Sequence, residues 1–172
     1  MSPTFRSLHN RNYRRYAAGS LVSNIGTWLQ RVAQDWMVLL LTGSGILWSG
    51  AAAALERLVQ SAGIPFYTTP QGRGVVPEDH EYFYGAARST AYREADLVIV
   101  VGTRLNYVFG HGRPPRFSVS APFVRIDTDP TEVATTPRLE LGIVGDARTV
   151  LEQLSAALEG RVEASRYATW RE

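Results

Sequence analysis

The chain contains no cysteine and no lysine; all 18 of its basic residues are arginine. Without cysteine there can be no disulfide, thiolate nucleophile or thiolate metal ligand, and nothing indicates the redox compartment. Without lysine, a Schiff-base lysine, a lysine general base and the phosphate lysine of a P-loop are excluded together. Histidine is scarce too. His9, His80 and His111 lie far apart and give no metal-ligand spacing. The run Glu78-Asp79-His80-Glu81 reads more readily as a solvated loop than as a metal site.

The net charge of +2 hides an asymmetry. Residues 1–42 carry Arg6, Arg11, Arg14, Arg15 and Arg31 against Asp35 alone, whereas the remainder is mildly acidic. Basic residues are thus not gathered on the part that looks folded, and no nucleic-acid partner is expected. The basic lead suits the cytoplasmic flank of a membrane helix better than a signal peptide, because Arg31 and Asp35 interrupt the apolar stretch. A spanning helix needs roughly 20 mostly apolar residues. Trp36–Leu55 has that length and no charge, but Gly43-Ser44-Gly45 and Ser49-Gly50 suit turns. Two readings of residues 16–42 follow. The segment enters a membrane, or Thr27–Gln34 forms a helix and Met37–Leu41 a buried parallel strand next to Leu97–Val101 or a neighbour. The second is favoured, because a sheet without that strand would expose an apolar edge.

Downstream the pattern alternates. Ser49–Ala62 has helical composition and Gly63 is placed to end it. Ile64–Thr68 reads as a strand, Ala86–Ala95 as a helix, and Leu97–Val101 is the strongest buried-strand signal. Phe123–Asp127 and Gly142–Val144 are further strands, and Ala147–Leu158 is an amphipathic helix. Phe109–Phe117 reads as a flexible basic loop. Strands alternating with helices predict an α/β, Rossmann-like three-layer domain with a parallel sheet, preceded by an N-terminal helical segment.

In such a sheet ligands bind beyond the carboxyl ends of the strands. Gly43-Ser44-Gly45 follows the first strand, so its amides either hold a phosphate or make a simple tight turn. Arg104, after the strongest strand, either pairs with a phosphate or stacks on an adenine, or else is a surface arginine. Asp127 ends a strand where an acid can accept from ribose hydroxyls. Asp129 before Pro130 reads as a helix cap, and Asp146 as a cap or a nucleotide contact.

Two resemblances sharpen this reading. Phe5–Arg14, with Asn24-Ile25-Gly26-Thr27-Trp28 through Leu41-Thr42-Gly43, resembles the start of a major facilitator superfamily transporter. Gly102-Thr103-Arg104-Leu105-Asn106-Tyr107, Ile126-Asp127-Thr128-Asp129-Pro130 and Val144-Gly145-Asp146 resemble the central domain of thiamine diphosphate-dependent enzymes. The group is that of acetolactate synthase, oxalyl-CoA decarboxylase and 2-hydroxyacyl-CoA lyase. The first of these segments departs from the form usual in acetolactate synthases. The expected organisation is therefore a transporter-like segment at 1–42, the central domain at 43–160 and a truncated linker at 161–172. The resemblance implies an adenine nucleotide, ADP or FAD, with Arg104 and Asp127 as its foremost contacts and Gly43, Ser44, Gly45 and Asp146 behind them. Thiamine diphosphate and magnesium are implied only for an intact enzyme, whose catalytic residues lie in two other domains. No catalytic residue and no metal ligand is expected here, and the chain alone should be inert. Other domains or subunits of such an enzyme are the expected partners. The expected location is the cytoplasm or, if residues 16–42 enter a bilayer, the membrane. The alternative function is a truncated exporter fragment or a non-functional fusion product.

Overall fold

A computed structural model of the chain describes residues 37–162. Five strands form one parallel sheet: β1 (Val38–Thr42), β2 (Phe66–Thr68), β3 (Leu97–Val101), β4 (Phe123–Asp127) and β5 (Leu139–Val144), in the order β2-β1-β3-β4-β5. The helices are α1 (Ser44–Trp48), α2 (Ala52–Ala62), α3 (Arg88–Glu94), α4 (Pro130–Ala134) and α5 (Ala147–Leu158), with 3-10 turns at Pro70–Gly72 and Tyr107–Gly112. This is the predicted Rossmann-like α/β domain. The expected helix at 27–34 and the basic arm lie outside the described residues.

The apolar run before the glycine turn is the strand the sequence predicts, shifted by one residue. β1 pairs in parallel with β2 and, from Val38↔Leu97 to Thr42↔Val101, with β3. All five of its residues are buried. A strand with neighbours on both sides and cover on both faces has no polar face, which is why it reads as an unbroken hydrophobic run. Alternate residues serve the two faces. Val38 and Leu40 join Phe66, Leu97, Ile99 and Val124 under α2 and α5, through Leu55, Leu58, Val59, Leu151 and Leu154. Leu39 and Leu41 join Val98, Val100 and Phe123 under Ala91, Tyr92, Phe109 and Phe117.

Two expectations need correcting. The helix predicted over Ser49–Ala62 begins at Ala52 and is preceded by a separate turn of helix, α1. Gly50 takes a left-handed φ of 62° between them, and the Ser49 hydroxyl donates to the Gly45 carbonyl at 2.7 Å. The loop at 109–117 is anchored instead of free. Phe109 and Phe117 are buried in the second apolar layer, and Phe117 stacks on Tyr92 at 4.6 Å. Burial pushes the Tyr92 phenol well above its ordinary value. Gly63 ends α2 with φ 64°, as expected of a left-handed C-cap.

Candidate nucleotide-binding cleft

The chain moves from β1 outward to β2, then crosses back to β3 and continues to β4 and β5, so the direction of winding reverses between β1 and β3. At such a reversal the loops leaving the two strands part and a cleft opens beyond their carboxyl ends. Here it encloses about 860 Å3. Its wall draws on the loops after all five strands, including Ser44, Thr69, Arg104, Asp127 and Asp146.

Glycines let these loops approach so closely. The Gly43 amide donates to Val101 O at 3.2 Å and the Gly45 amide to Gly102 O at 2.9 Å. A Cβ on Gly45 would lie 2.5 Å from the Gly102 Cα, and one on Gly102 would lie 2.7 Å from the Gly45 Cα. Gly102 also has φ +56°, a conformation that costs any other residue. Two amides of the Gly43–Gly45 turn thus hold the crossing of β1 and β3. Gly43 is buried and is no part of the cleft wall, while Ser44 and Gly45 line it. Gly72 completes the crossing, since a Cβ there would meet the Gly43 carbonyl oxygen at 3.0 Å.

The charged groups predicted for the site are brought together, and each already has a partner. Arg104 projects into the cleft, three-quarters exposed, with Nε 3.1 Å from a Glu132 carboxylate oxygen. Asp127 accepts from Arg125 Nη2 at 2.7 Å and from the Asp129 amide at 3.1 Å. Asp146 accepts from the Thr149 amide at 3.0 Å and the Thr149 hydroxyl at 3.1 Å, so it caps α5 while facing the cleft. Asp129 caps α4 through the Thr131 amide at 2.8 Å. That bond, assisted by the nearby Arg104 charge, holds its carboxyl below the usual range.

Four wall residues that the sequence did not single out as contacts add to the site's chemistry. Trp48 and Tyr107 stand exposed at the cleft, by 83% and 80%. Each presents a flat apolar face to the cleft. Thr69 is buried, and its hydroxyl has no hydrogen-bond partner among the described residues. Glu132 holds Arg104 from α4. The aromatic letters of Trp48 and Tyr107, each beside a glycine loop, were the available signal. Thr69 and Glu132 carry none, because their roles depend on which loops meet.

The cleft offers a paired arginine, a strand-end carboxylate, a buried hydroxyl and two aromatic faces. That set presents hydrogen-bond donors to an anion, acceptors to hydroxyl groups and flat faces for stacking. Among the described residues no three His, Asp or Glu side chains gather as a metal site requires. No step of thiamine chemistry is assigned to the described residues.

Residues 25–154 match the family model for the central domain of thiamine pyrophosphate enzymes. The chain belongs to this family. It is 36% identical over 141 residues to a 2-hydroxyacyl-CoA lyase of Arabidopsis thaliana, covering 82% of this chain and 24% of the relative. It is 31% identical over 121 residues to an oxalyl-CoA decarboxylase of Escherichia coli strain K12, covering 70% and 21%. Among solved structures, benzoylformate decarboxylase from Polynucleobacter necessarius superposes with a TM-score of 0.64 at 20% identity, over 81% of this chain and 27% of that one. At that identity the likeness concerns the fold. The chain spans about a fifth to a quarter of the length of the curated relatives it matches. The central-domain match starts at residue 25, ahead of Gly43, and so takes in the whole of β1.

Proposed function

We propose that this central domain is the nucleotide-recognition module of a thiamine diphosphate-dependent enzyme of the lyase, decarboxylase and acetolactate synthase group, and that it takes no part in the thiamine chemistry itself. The observation that carries this reading is the convergence of Arg104, Asp127, Trp48 and Tyr107 on one cleft at the winding reversal. The ligand is an adenine nucleotide, ADP or the corresponding part of FAD. Arg104 would leave Glu132 to pair with a phosphate, Asp127 would accept from ribose hydroxyls, and the exposed aromatics would flank the base. Ser44 and Asp146 line the same space as secondary contacts. Thiamine diphosphate and magnesium belong, on this reading, to partner domains or subunits, and the cytoplasm is the proposed location.

The functional unit is proposed to start before Gly43, because β1 is an interior strand, paired with β2 on one side and β3 on the other, and lies inside the family match. The transporter resemblance of residues 1–42 overlaps that match from residue 25 onward. A truncated exporter fragment is therefore the weaker reading, and the join the sequence suggests at Gly43 would fall inside one domain. No helix among the described residues is long and apolar enough to cross a membrane.

Titrating the full chain with ADP tests the proposal. Its melting temperature should rise saturably, and Arg104→Ala should remove most of the rise. An unchanged rise in the variant would move the site elsewhere; no rise with ADP or FAD would end the nucleotide reading. Thiamine diphosphate with magnesium should give no saturable heat in calorimetry, and micromolar binding would overturn the division of labour.

A further inference from the structure

Behind the wall of the nucleotide cleft lies a second, smaller pocket of about 230 Å3, between β4, α4 and the 107–113 loop. Its wall includes Arg125, Arg113, His111, Glu132 and Thr136. Arg125 is the unusual member. It sits in β4, between two paired strands, and is fully buried. Its Nη2 meets Asp127 at 2.7 Å and Glu132 at 3.4 Å. Its Nε and Nη1 have no partner among the described residues, which leaves three N–H donors unused. Buried donors nearly always have an acceptor, so an arginine left half-satisfied in the wall of a pocket points to something that fills it.

The remaining groups define what that is. The charged residues lining the pocket are two arginines and Glu132, and Glu132 is shared with Arg104 across the wall. Arg113 has no carboxylate partner among the described residues, and His111 stands exposed beside it. Asp127 and Glu132 balance the charge of the two arginines, so the attraction for an anion comes from Arg113 and from the unused donors of Arg125. A guanidinium presents its donors in a planar fork that matches the oxygens of a carboxylate or phosphate. The volume lies below the range usual for drug-sized ligands, so a nucleotide would not fit and a small oxyanion would.

We infer that this pocket is a second binding site, for a small oxyanion held by the free edge of Arg125 and by Arg113 at its mouth. It is separate from the nucleotide cleft, with Glu132 as the residue common to both walls, and it does not depend on that cleft binding a nucleotide.

The test is thermal melting of the full chain with inorganic phosphate, with oxalate and with chloride at matched ionic strength. Phosphate or oxalate should raise the melting temperature saturably, by about 3–6 °C at ten times its Kd, and chloride should not. Arg113→Gln, an exposed change expected to leave the fold intact, should raise the half-saturating concentration about tenfold, and Arg104→Ala, which reaches the pocket only through Glu132, should change it by much less. A response to one oxyanion alone would support the site and narrow its ligand to phosphates or to carboxylates. If neither oxyanion exceeds chloride, the pocket holds only water and the inference fails. It also fails if Arg104→Ala removes the response while Arg113→Gln keeps it, because the anion then sits in the nucleotide cleft.

Discussion

Strands β1 and β5 carry similar apolar residues, yet every residue of β1 is buried while in β5 only Ile143 is. β1 has a hydrogen-bonded neighbour on each side; β5 pairs with β4 alone and leaves Val144 more than half exposed. Composition therefore says that a segment is a strand, and the number of its neighbours says how much stability it carries. It also explains why the run at 37–41 is compatible with a lipid environment when read alone. Continuous hydrophobicity is required both of a membrane segment and of a central parallel strand, and only the partner strands at Leu97–Val101 and Phe66–Thr68 separate the two.

The sharpest way to break this contrast is to remove β1. Deleting residues 1–42 should abolish cooperative thermal unfolding or cause aggregation, since β2 and β3 would lose their common partner and two apolar layers would open. Deleting residues 1–20 should leave the melting transition in place. A 43–172 chain that melts as high and as sharply as the full one would show that β1 is dispensable.

Single substitutions then compare the two strands directly. Leu39→Ala, at a fully buried site, should cost about 2–5 kcal/mol in denaturant titration. Leu139→Ala on the edge strand, where 37% of the residue is exposed, should cost about 1 kcal/mol or less. Equal losses would mean that burial in the sheet is not what distinguishes them. The loop crossing at the end of β1 comes next in size. Gly102→Ala should cost roughly 1–3 kcal/mol, from the strained φ and from a Cβ driven against the Gly45 backbone. A neutral result would mean that the β1 and β3 loops can part without loss.

How much of this was legible in the sequence follows the same division. β1 and β3 announce themselves as apolar runs, β4 by apolar residues alternating with Arg125 and Asp127, α5 by its periodic face, and Asp129 and Asp146 by standing just before helices. These are local signals, and the structure agrees with them. What the sequence did not disclose depends on contacts between distant segments. Gly45 and Gly102 are 57 positions apart, and only the parallel pairing of β1 with β3 makes each the reason for the other. Arg125 sits in a run that alternates like any strand, and nothing local says that its charge is buried or that Asp127 and Glu132 partner it. Asp127 and Arg104 could be named from their places after strands; that each is ion-paired within the chain could not. The break between α1 and α2 was missed because alanine-rich composition outweighed one glycine in the left-handed conformation.

The smallest expected effect concerns Asp146, which stands where edge strand β5 hands over to α5, a helix packed against α2 and β4. Its carboxylate caps that helix through Thr149 and also lines the cleft, so two roles are superimposed. Replacement of a capping aspartate by alanine costs about 1 kcal/mol, and asparagine caps nearly as well. Asp146→Ala should therefore lower the melting temperature by about 2–4 °C, and Asp146→Asn should restore most of it. Asparagine keeps the cap but removes the charge, so it separates the roles. If Asp146→Asn keeps the stability of the native chain but alters the rise produced by ADP, the carboxylate contacts the nucleotide as well as the helix. If stability and response are both unchanged, Asp146 is a cap alone, and Arg104 and Asp127 remain as the charged contacts of the cleft.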